Sequence, residues 1–573
     1  MPHTDLILLH APSVYDFRTK TILFGPVSDL IPSSPIFELY PLGFAALAEY
    51  LEGRGHRVRI VNLAVRMLRD PDFDAERQIA ELEAPLFGID LHWMLHCHGA
   101  IEVARLVKRH HPQSKLVLGG FSSSYYHREL FDYPEIDFVL RGDSTEEPLR
   151  QLVECIAQGR EPEAVPNLSW RDAQGQVHHN PLSCVPYELD DVMVDHYGRT
   201  VRSVVRDRDL ANYLPFRDWL RYPITAVLTS RGCRQNCIFC GGSAQSFRGF
   251  LQRERPAYRT PEAVARDVKR ISSLTRGPIF ILGDIRQPGE DYAHHLLDLL
   301  AAQRRKNRII MELFEPAPRD FLKRMGQACP GFCLEISPES HDPQIRKAIG
   351  RDYSTEALED TIAGAMEAGC ERMDVFFMIG LPQQTPRSVL DTIDFCADLL
   401  KAHRKDGRFF PFIAPLSPFL DPGSPAFEHP ERHGYRLRFR TVEEHRQALL
   451  EPSWKYALNY ETEWMERDDI ARTAYDADLR LNRAKARYGY ISDRAARAAE
   501  HRLLSALEIM QYIDQLMASG DLSGLAQIKE AVDWVNMSTA GGKVELELPT
   551  SPFTIRALQT VWAQTLSSLR GRP

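Results

Sequence analysis

No apolar run in this 573-residue chain approaches the roughly 20 residues that a helix needs to cross a bilayer, so the sequence predicts no membrane partner. Positive charge is also in deficit. The formal net charge is −8, which gives no electrostatic reason to expect nucleic-acid binding. The start, Met1-Pro-His-Thr-Asp-Leu-Ile-Leu-Leu9, carries an acidic residue and no basic n-region, so it does not read as a signal peptide. There are 10 cysteines in this length, all but three of them scattered, which points to reduced thiols and a cytoplasmic protein. What remains is ordinary for a globular chain: 44% apolar and 26% charged residues, at a length that fits three or four domains.

The three clustered cysteines carry most of the chemistry. Cys233, Cys237 and Cys240 lie in Ser230-Arg-Gly-Cys-Arg-Gln-Asn-Cys-Ile-Phe-Cys-Gly-Gly-Ser243. Three thiolates so close together can hold three irons of a cubane cluster and leave the fourth iron open to a substrate; the plain alternatives are chance spacing or a zinc site. A structural zinc site needs four ligands, and no further ligand pair lies nearby. Gly232, Gly241 and Gly242 let the backbone wrap a bulky inorganic core. The preceding Pro223–Thr229 reads as a buried strand, and strand-end loops are where barrel enzymes keep their chemistry. Cys329 and Cys333 lack neighbouring ligand types and read as buried small residues.

Strand-like and helix-like segments alternate through the first third of the chain. Strands are expected at Leu6–Leu9, Val58–Val61, Leu86–Asp90, Leu116–Leu118 and Phe138–Leu140. Repeated βα units of this length predict a parallel sheet with helices on both faces. The last two strands run into Gly119-Gly120-Phe-Ser122 and Arg141-Gly-Asp-Ser-Thr-Glu146. Such glycine-bearing loops suit either a large ligand approaching the backbone or ordinary strand-to-helix turns. Asn167–Trp170 and Val177–His179 read as a hairpin, and Asp190–Arg221 as a linker. Six strand-like segments follow from near Tyr222, with Gly283-Asp284, Ser337, Glu339 and Gly380-Leu-Pro382 at strand ends. For Ser337 and Gly380, plain turn chemistry is the alternative. Arg286, Glu312 and Glu315 read equally as ligand contacts or as an ion-pair network. Thr441–Ser519 reads as helical, and Val544–Leu548 as a late strand.

The cysteine loop resembles the signature of the radical S-adenosylmethionine (SAM) superfamily. Tyr40-Pro-Leu-Gly-Phe44, Gly119-Gly120 and Arg141–Glu146 resemble the cobalamin domain attached to many members. The whole pattern resembles in particular the tryptophan C2-methylase-like subgroup. This resemblance implies an α/β chain: a flavodoxin-like cobalamin-binding domain (1–155), a hairpin and linker (156–221), a partial (β/α)6 radical SAM barrel (222–425) and a mainly helical C-terminal domain (426–573). It implies a [4Fe-4S] cluster on Cys233, Cys237 and Cys240, SAM contacts at Phe239, Gly283, Asp284, Ser337 and Gly380, and cobalamin contacts at Gly119, Gly120, Ser122, Gly142, Asp143 and Arg69. Asp284 stands where the family usually has glutamate, and Asp143 likewise. The Asp-x-His-x-x-Gly signature is absent, so His92, His96 and His98 are expected to be satisfied or surface histidines and not cobalt ligands.

The implied activity is methyl transfer from SAM, via cobalamin, to an unactivated or aromatic carbon of a small molecule or peptide. An external electron donor such as flavodoxin or ferredoxin is implied with it. Two rival expectations are a non-methylating rearrangement or cyclisation with the same cofactors, and a non-enzymatic cobalamin sensor with a structural cluster. A labelled methyl group in product separates the first from the methyl-transfer reading, and SAM consumption the second. A bulky side chain at Gly120 is expected to exclude the corrin sterically.

Overall fold

The computed structural model describes residues 4–26, 34, 36–39, 41–191, 197–416 and 418–536. Tyr40 and the expected strand at Val544–Leu548 lie outside the described residues.

The first sheet has seven strands in the order β2-β1-β3-β4-β5-β6-β7. They are β1 (Leu6–His10), β2 (Val58–Asn62), β3 (Leu86–Asp90), β4 (Lys115–Gly119), β5 (Phe138–Leu140), β6 (Leu168–Arg171) and β7 (Val177–His179). β1 to β5 pair in parallel, and β1 and β3 are buried along their whole length. Burial of a parallel sheet on both faces is what favours near-continuous apolar strands such as Leu-Ile-Leu-Leu. The hairpin of β6 and β7 does not stand apart as part of a connector: β6 pairs antiparallel with β5 and extends this sheet. The expected linker is also partly structured, since Tyr197–Asp207 is a helix. Arg206 there reaches Glu52 (2.9 Å) and the Val58 carbonyl (2.9 Å), so polar contacts hold the segment to the first sheet.

The second sheet has six parallel strands in the order β15-β14-β13-β12-β11-β8. They are β8 (Thr225–Leu228), β11 (Ile279–Leu282), β12 (Ile309–Leu313), β13 (Cys333–Glu339), β14 (Arg372–Ile379) and β15 (Phe409–Pro415). Two short strands, β9 (Ser230–Arg231) and β10 (Ala257–Tyr258), pair beside the end of β8. Odd and even positions have different fates. Val227, Ile279, Ile281, Ile309, Met311, Leu334 and Ile336 are buried against the surrounding helices. Leu228, Leu282, Glu312, Glu335, Ser337, Phe376 and Met378 are only partly buried, on the opposite, concave face. Phe216, Trp219 and Tyr222 pack with Phe280, Ile310 and Cys333, plugging the end of that face where the strands begin.

The C-terminal segment is mainly helical, with helices at Arg467–Arg487 and Asp493–Ser519, and includes one small antiparallel pair, β16 (Tyr435–Leu437) and β17 (Tyr460–Thr462). Lys485 lies over the Phe412 ring at 4.5 Å, so the helix Arg467–Arg487 covers β15, the edge strand. Farther back, Tyr133 donates to Glu443 (2.7 Å), and Val442 N–H donates to Glu129 (2.9 Å). The segment therefore grips both sheets. No helix among the described residues is long and apolar enough to cross a membrane.

Candidate functional site

The cysteine loop leaves the carboxyl end of β8, and the helix Ala244–Phe250 follows, capped by Ser243, which accepts from Ser246 N–H. Backbone N–H groups already point at two sulfurs: Gln235 to Cys233 Sγ and Gly242 to Cys240 Sγ, each at 3.3 Å. Burial pushes all three thiols above their ordinary range. They are thus protonated at neutral pH, and iron binding must displace those protons. Among the described residues, no group of three or more His, Cys, Asp or Glu side chains converges on a single ion. Three thiols fall one short of the four ligands of a structural zinc site and suit a cluster with one open iron. Phe239 is buried beside Cys237 and Ile238 in the barrel core. Asp421 accepts from Gly241 N–H (2.9 Å), and its enclosure raises it to about 6.

The strand-end residues of the barrel divide into two kinds. Asp284 is saturated. Its Oδ1 accepts from Arg286 N (3.0 Å) and Arg286 Nε (3.0 Å), and its Oδ2 from Arg286 Nη2 (2.6 Å) and Phe314 N (3.0 Å). Arg286 therefore belongs to an ion pair, whereas Glu315 contributes to it only a backbone carbonyl (2.7 Å). Glu312 is different: it projects from β12 onto the concave face, and its Oε2 accepts from Gly283 N–H (2.8 Å). Enclosure raises its pKa to about 7. Ser337 shares that face. Glu339 lies past a register shift in β13 and faces Arg351 Nη2 at 3.3 Å, with burial raising it to about 7. Gly380 sits in a turn with φ +94, where an added Cβ would meet the Tyr460 hydroxyl at 2.2 Å. Its carbonyl accepts from Tyr435 (3.1 Å), so this glycine answers to the packing of the C-terminal segment.

At the first sheet's rim, Gly119 has open space where a Cβ would stand. Gly120 does not. With φ +118, an added Cβ there would meet the His92 backbone at 2.6 Å, so the turn itself requires glycine, whatever lies beyond it. A side chain at Gly120 would thus meet the protein's own backbone before any ligand beyond it. Ser122 donates to the His92 carbonyl (3.1 Å), and Gly142 N–H donates to Ser124 Oγ (2.9 Å). Asp143 is engaged by Arg253, whose Nη2 reaches Oδ1 at 3.0 Å, and both side chains are buried. Arg69 is exposed at the end of the helix Leu63–Arg69, after the edge strand β2, apart from the loops of β4 and β5. The histidines are tied into the protein. His98 Nδ1 accepts from Tyr15 N–H (3.2 Å), His96 Nε2 lies 2.9 Å from the Phe37 carbonyl, and the His92 ring packs on Phe121.

Sequence reasoning missed the joints between the two rims. Arg231, two residues before Cys233, pairs with Glu146, its Nη1 reaching Oε2 at 3.0 Å. Arg253 reaches back to Asp143, and Phe121 meets Phe247 edge-on at 5.6 Å. The available signal was charge: an arginine flanks the cysteine motif, and two acids lie in the Arg141–Glu146 loop.

Residues 33–152 match the B12 binding domain, and residues 227–396 match the radical SAM superfamily. The chain is a radical SAM protein with a B12-binding domain. As such it is an enzyme whose cofactors are a [4Fe-4S] cluster, SAM and cobalamin. This radical SAM protein is 26% identical over 371 residues to an uncharacterized methyltransferase of Pyrococcus horikoshii, covering 63% of the present chain and 73% of that one. It is 26% identical over 270 residues to the hopanoid C-3 methylase of Methylococcus capsulatus, covering 45% of each. In fold it matches TsrM from Kitasatospora setae, a radical SAM methyltransferase solved with cobalamin and a [4Fe-4S] cluster: TM-score 0.55, 16% identity, 86% of this chain and 90% of that one. It also matches OxsB, a cobalamin-dependent SAM radical enzyme solved with aqua-cobalamin: TM-score 0.56, 12% identity, 99% and 81% covered.

Proposed function

We propose that this enzyme moves a methyl group from SAM, by way of cobalamin, to an unactivated or aromatic carbon of a small molecule or peptide. The observation that carries this reading is the joint between the two rims. Arg231–Glu146 and Arg253–Asp143 hold the cysteine loop against the glycine-bearing loops of the first sheet. A methyl carrier at one rim and a SAM site at the other are useful together only if they are held at a fixed separation.

When bound, cobalamin supplies a methyl carrier, and the cluster supplies single electrons and a chelation point for SAM. In this reading Cys233, Cys237 and Cys240 hold the cluster, and the concave face bearing Leu282, Glu312 and Ser337 receives SAM. Gly119 leaves the space through which a flat macrocycle approaches the backbone. An external one-electron donor of the flavodoxin or ferredoxin class keeps the system reduced. The methyltransferase names of the Pyrococcus and Methylococcus relatives support the reaction type.

The test is anaerobic turnover of the reduced, reconstituted protein with methyl-labelled SAM and metabolite or peptide extracts, followed by mass spectrometry. A labelled methyl group in one product is expected. Conversion of SAM to 5′-deoxyadenosine with no label in any product would overturn the reading.

A further inference from the structure

The carboxylate at the end of β11 cannot serve a ligand as it stands. All four hydrogen bonds on Asp284 come from the chain itself, and its charge is balanced by Arg286. An incoming cation would have to displace a guanidinium held as a fork, an arrangement stronger than an ordinary ion pair.

Glu312 lies one strand over. The β11–β12 register pairs Ile281 with Met311, so Glu312 stands level with Leu282, immediately before the Gly283 turn. One of its oxygens is fixed by the Gly283 N–H. Among the described residues it has no ion-pair partner, because the nearby Arg351 is committed to Glu339 (3.3 Å) and to the Phe314 carbonyl (2.8 Å). A carboxylate enclosed without a cation is unfavourable, and enclosure is what holds this one above its usual range. It faces the same concave surface as Leu282 and Ser337. It is oriented, acidic, enclosed and uncompensated.

We propose that Glu312, and not Asp284, is the carboxylate that receives the ammonium group of bound SAM. This rests on the reading of the preceding subsection that the concave face is the SAM site. The Gly283 turn then sets the position of the glutamate through its N–H, and Asp284 with Arg286 sets the position of the turn.

The experiment is equilibrium binding to the cluster-loaded full chain under anaerobic conditions, with two probes: SAM, and its analogue lacking the amino group. A hydrogen bond to a charged partner predicts that Glu312→Gln weakens SAM by about 10- to 100-fold. Its affinity for the deamino analogue should stay within about twofold of the parent, because that probe has no ammonium to lose. Asp284→Asn should lower the melting midpoint while keeping SAM affinity within about threefold, since the amide oxygen still accepts from Phe314 N–H. Glu312→Asp, which keeps the charge but retreats by one carbon, serves if the glutamine variant does not load iron. A smaller, still SAM-selective loss is expected from it.

Equal loss of both probes in the Glu312 variants, or no loss of either, overturns the assignment and leaves the SAM site itself standing. A selective loss in Asp284→Asn overturns it in favour of Asp284. A fully iron-loaded parent that binds neither probe overturns the SAM-site reading and this inference with it.

Discussion

The two rims treat buried charge in opposite ways. At the first sheet, Asp143 and Glu146 are each closed by an arginine from the other side of the joint. On the concave face of the barrel, Glu312 accepts from a backbone N–H and, among the described residues, has no ion-pair partner. Position at a strand end is common to both, so it does not distinguish a binding residue from a structural one. Saturation does. A carboxylate whose lone pairs are filled and whose charge is matched holds the protein together, whereas an enclosed one left uncompensated is prepared for something that arrives later.

The sharpest break of this contrast lies in the loop between the rims. Replacing Cys233, Cys237 and Cys240 together by alanine should abolish cluster iron, measured by iron analysis and loss of the brown absorbance. Replacing Cys329 and Cys333 should leave the iron content unchanged, because these buried thiols lie at or just before the start of β13, the opposite end of the parallel sheet from the loop after β8. Full iron retention in the triple variant would remove the cluster from the site altogether.

Next in size is the joint. Arg253→Met leaves Asp143 buried and unpaired, and a loss of about 3–5 kcal/mol is expected, read as a drop in the denaturation midpoint. The double variant Asp143→Leu/Arg253→Met should recover most of that loss, since no uncompensated charge remains. If the double variant is no better than the single one, the pair is not the structural device described.

Glu339 sharpens the comparison through pH. Burial raises its carboxyl from the ordinary 4.5 to about 7 in the fold. The native state therefore binds more protons than the unfolded chain between these values, and the contribution to stability falls as pH rises from about 4.5 through 7. Glu339→Gln removes that loss. In the metal-free protein the variant should match the parent near pH 5 and gain on the order of 2–3 kcal/mol by pH 8. A constant difference across that range would contradict the assignment of the titration to Glu339.

The finest distinction is between adjacent glycines. Gly119→Leu should leave stability within about 0.5 kcal/mol, since no atom lies within 4 Å of where its Cβ would stand, while reducing cobalamin uptake measured by absorbance. Gly120→Ala should lower the melting midpoint even without cobalamin, because its Cβ strikes the His92 backbone. Undiminished uptake by Gly119→Leu would move the corrin elsewhere.

Much of this is legible in the sequence alone. Cys233, Cys237 and Cys240 are close in sequence and lie in one loop, so their spacing alone makes them candidate ligands. The βα alternation is legible because a buried parallel strand demands contiguous apolar residues, as in Leu6–Leu9. Asp284 was legible as a strand-end acid, but its role was not. Three of the four hydrogen bonds to its carboxylate come from Arg286, two residues on, and the fourth comes from the Phe314 backbone just past the next strand. Gly120 reads as an open approach to a ligand until the His92 backbone, 28 residues earlier, is placed against it.

The sequence by itself determined most of the elements, their order and the spacing of the three candidate cluster cysteines, because periodicity, turn residues and short-range spacing are local properties of the chain. Only the tertiary structure decided which acids are spent and which are available. The pairs Arg231–Glu146 and Arg253–Asp143 join residues separated by 85 and 110 positions. Burial, which lifts Glu312 and Glu339 to about 7, is a property of everything packed around a residue and not of the residue.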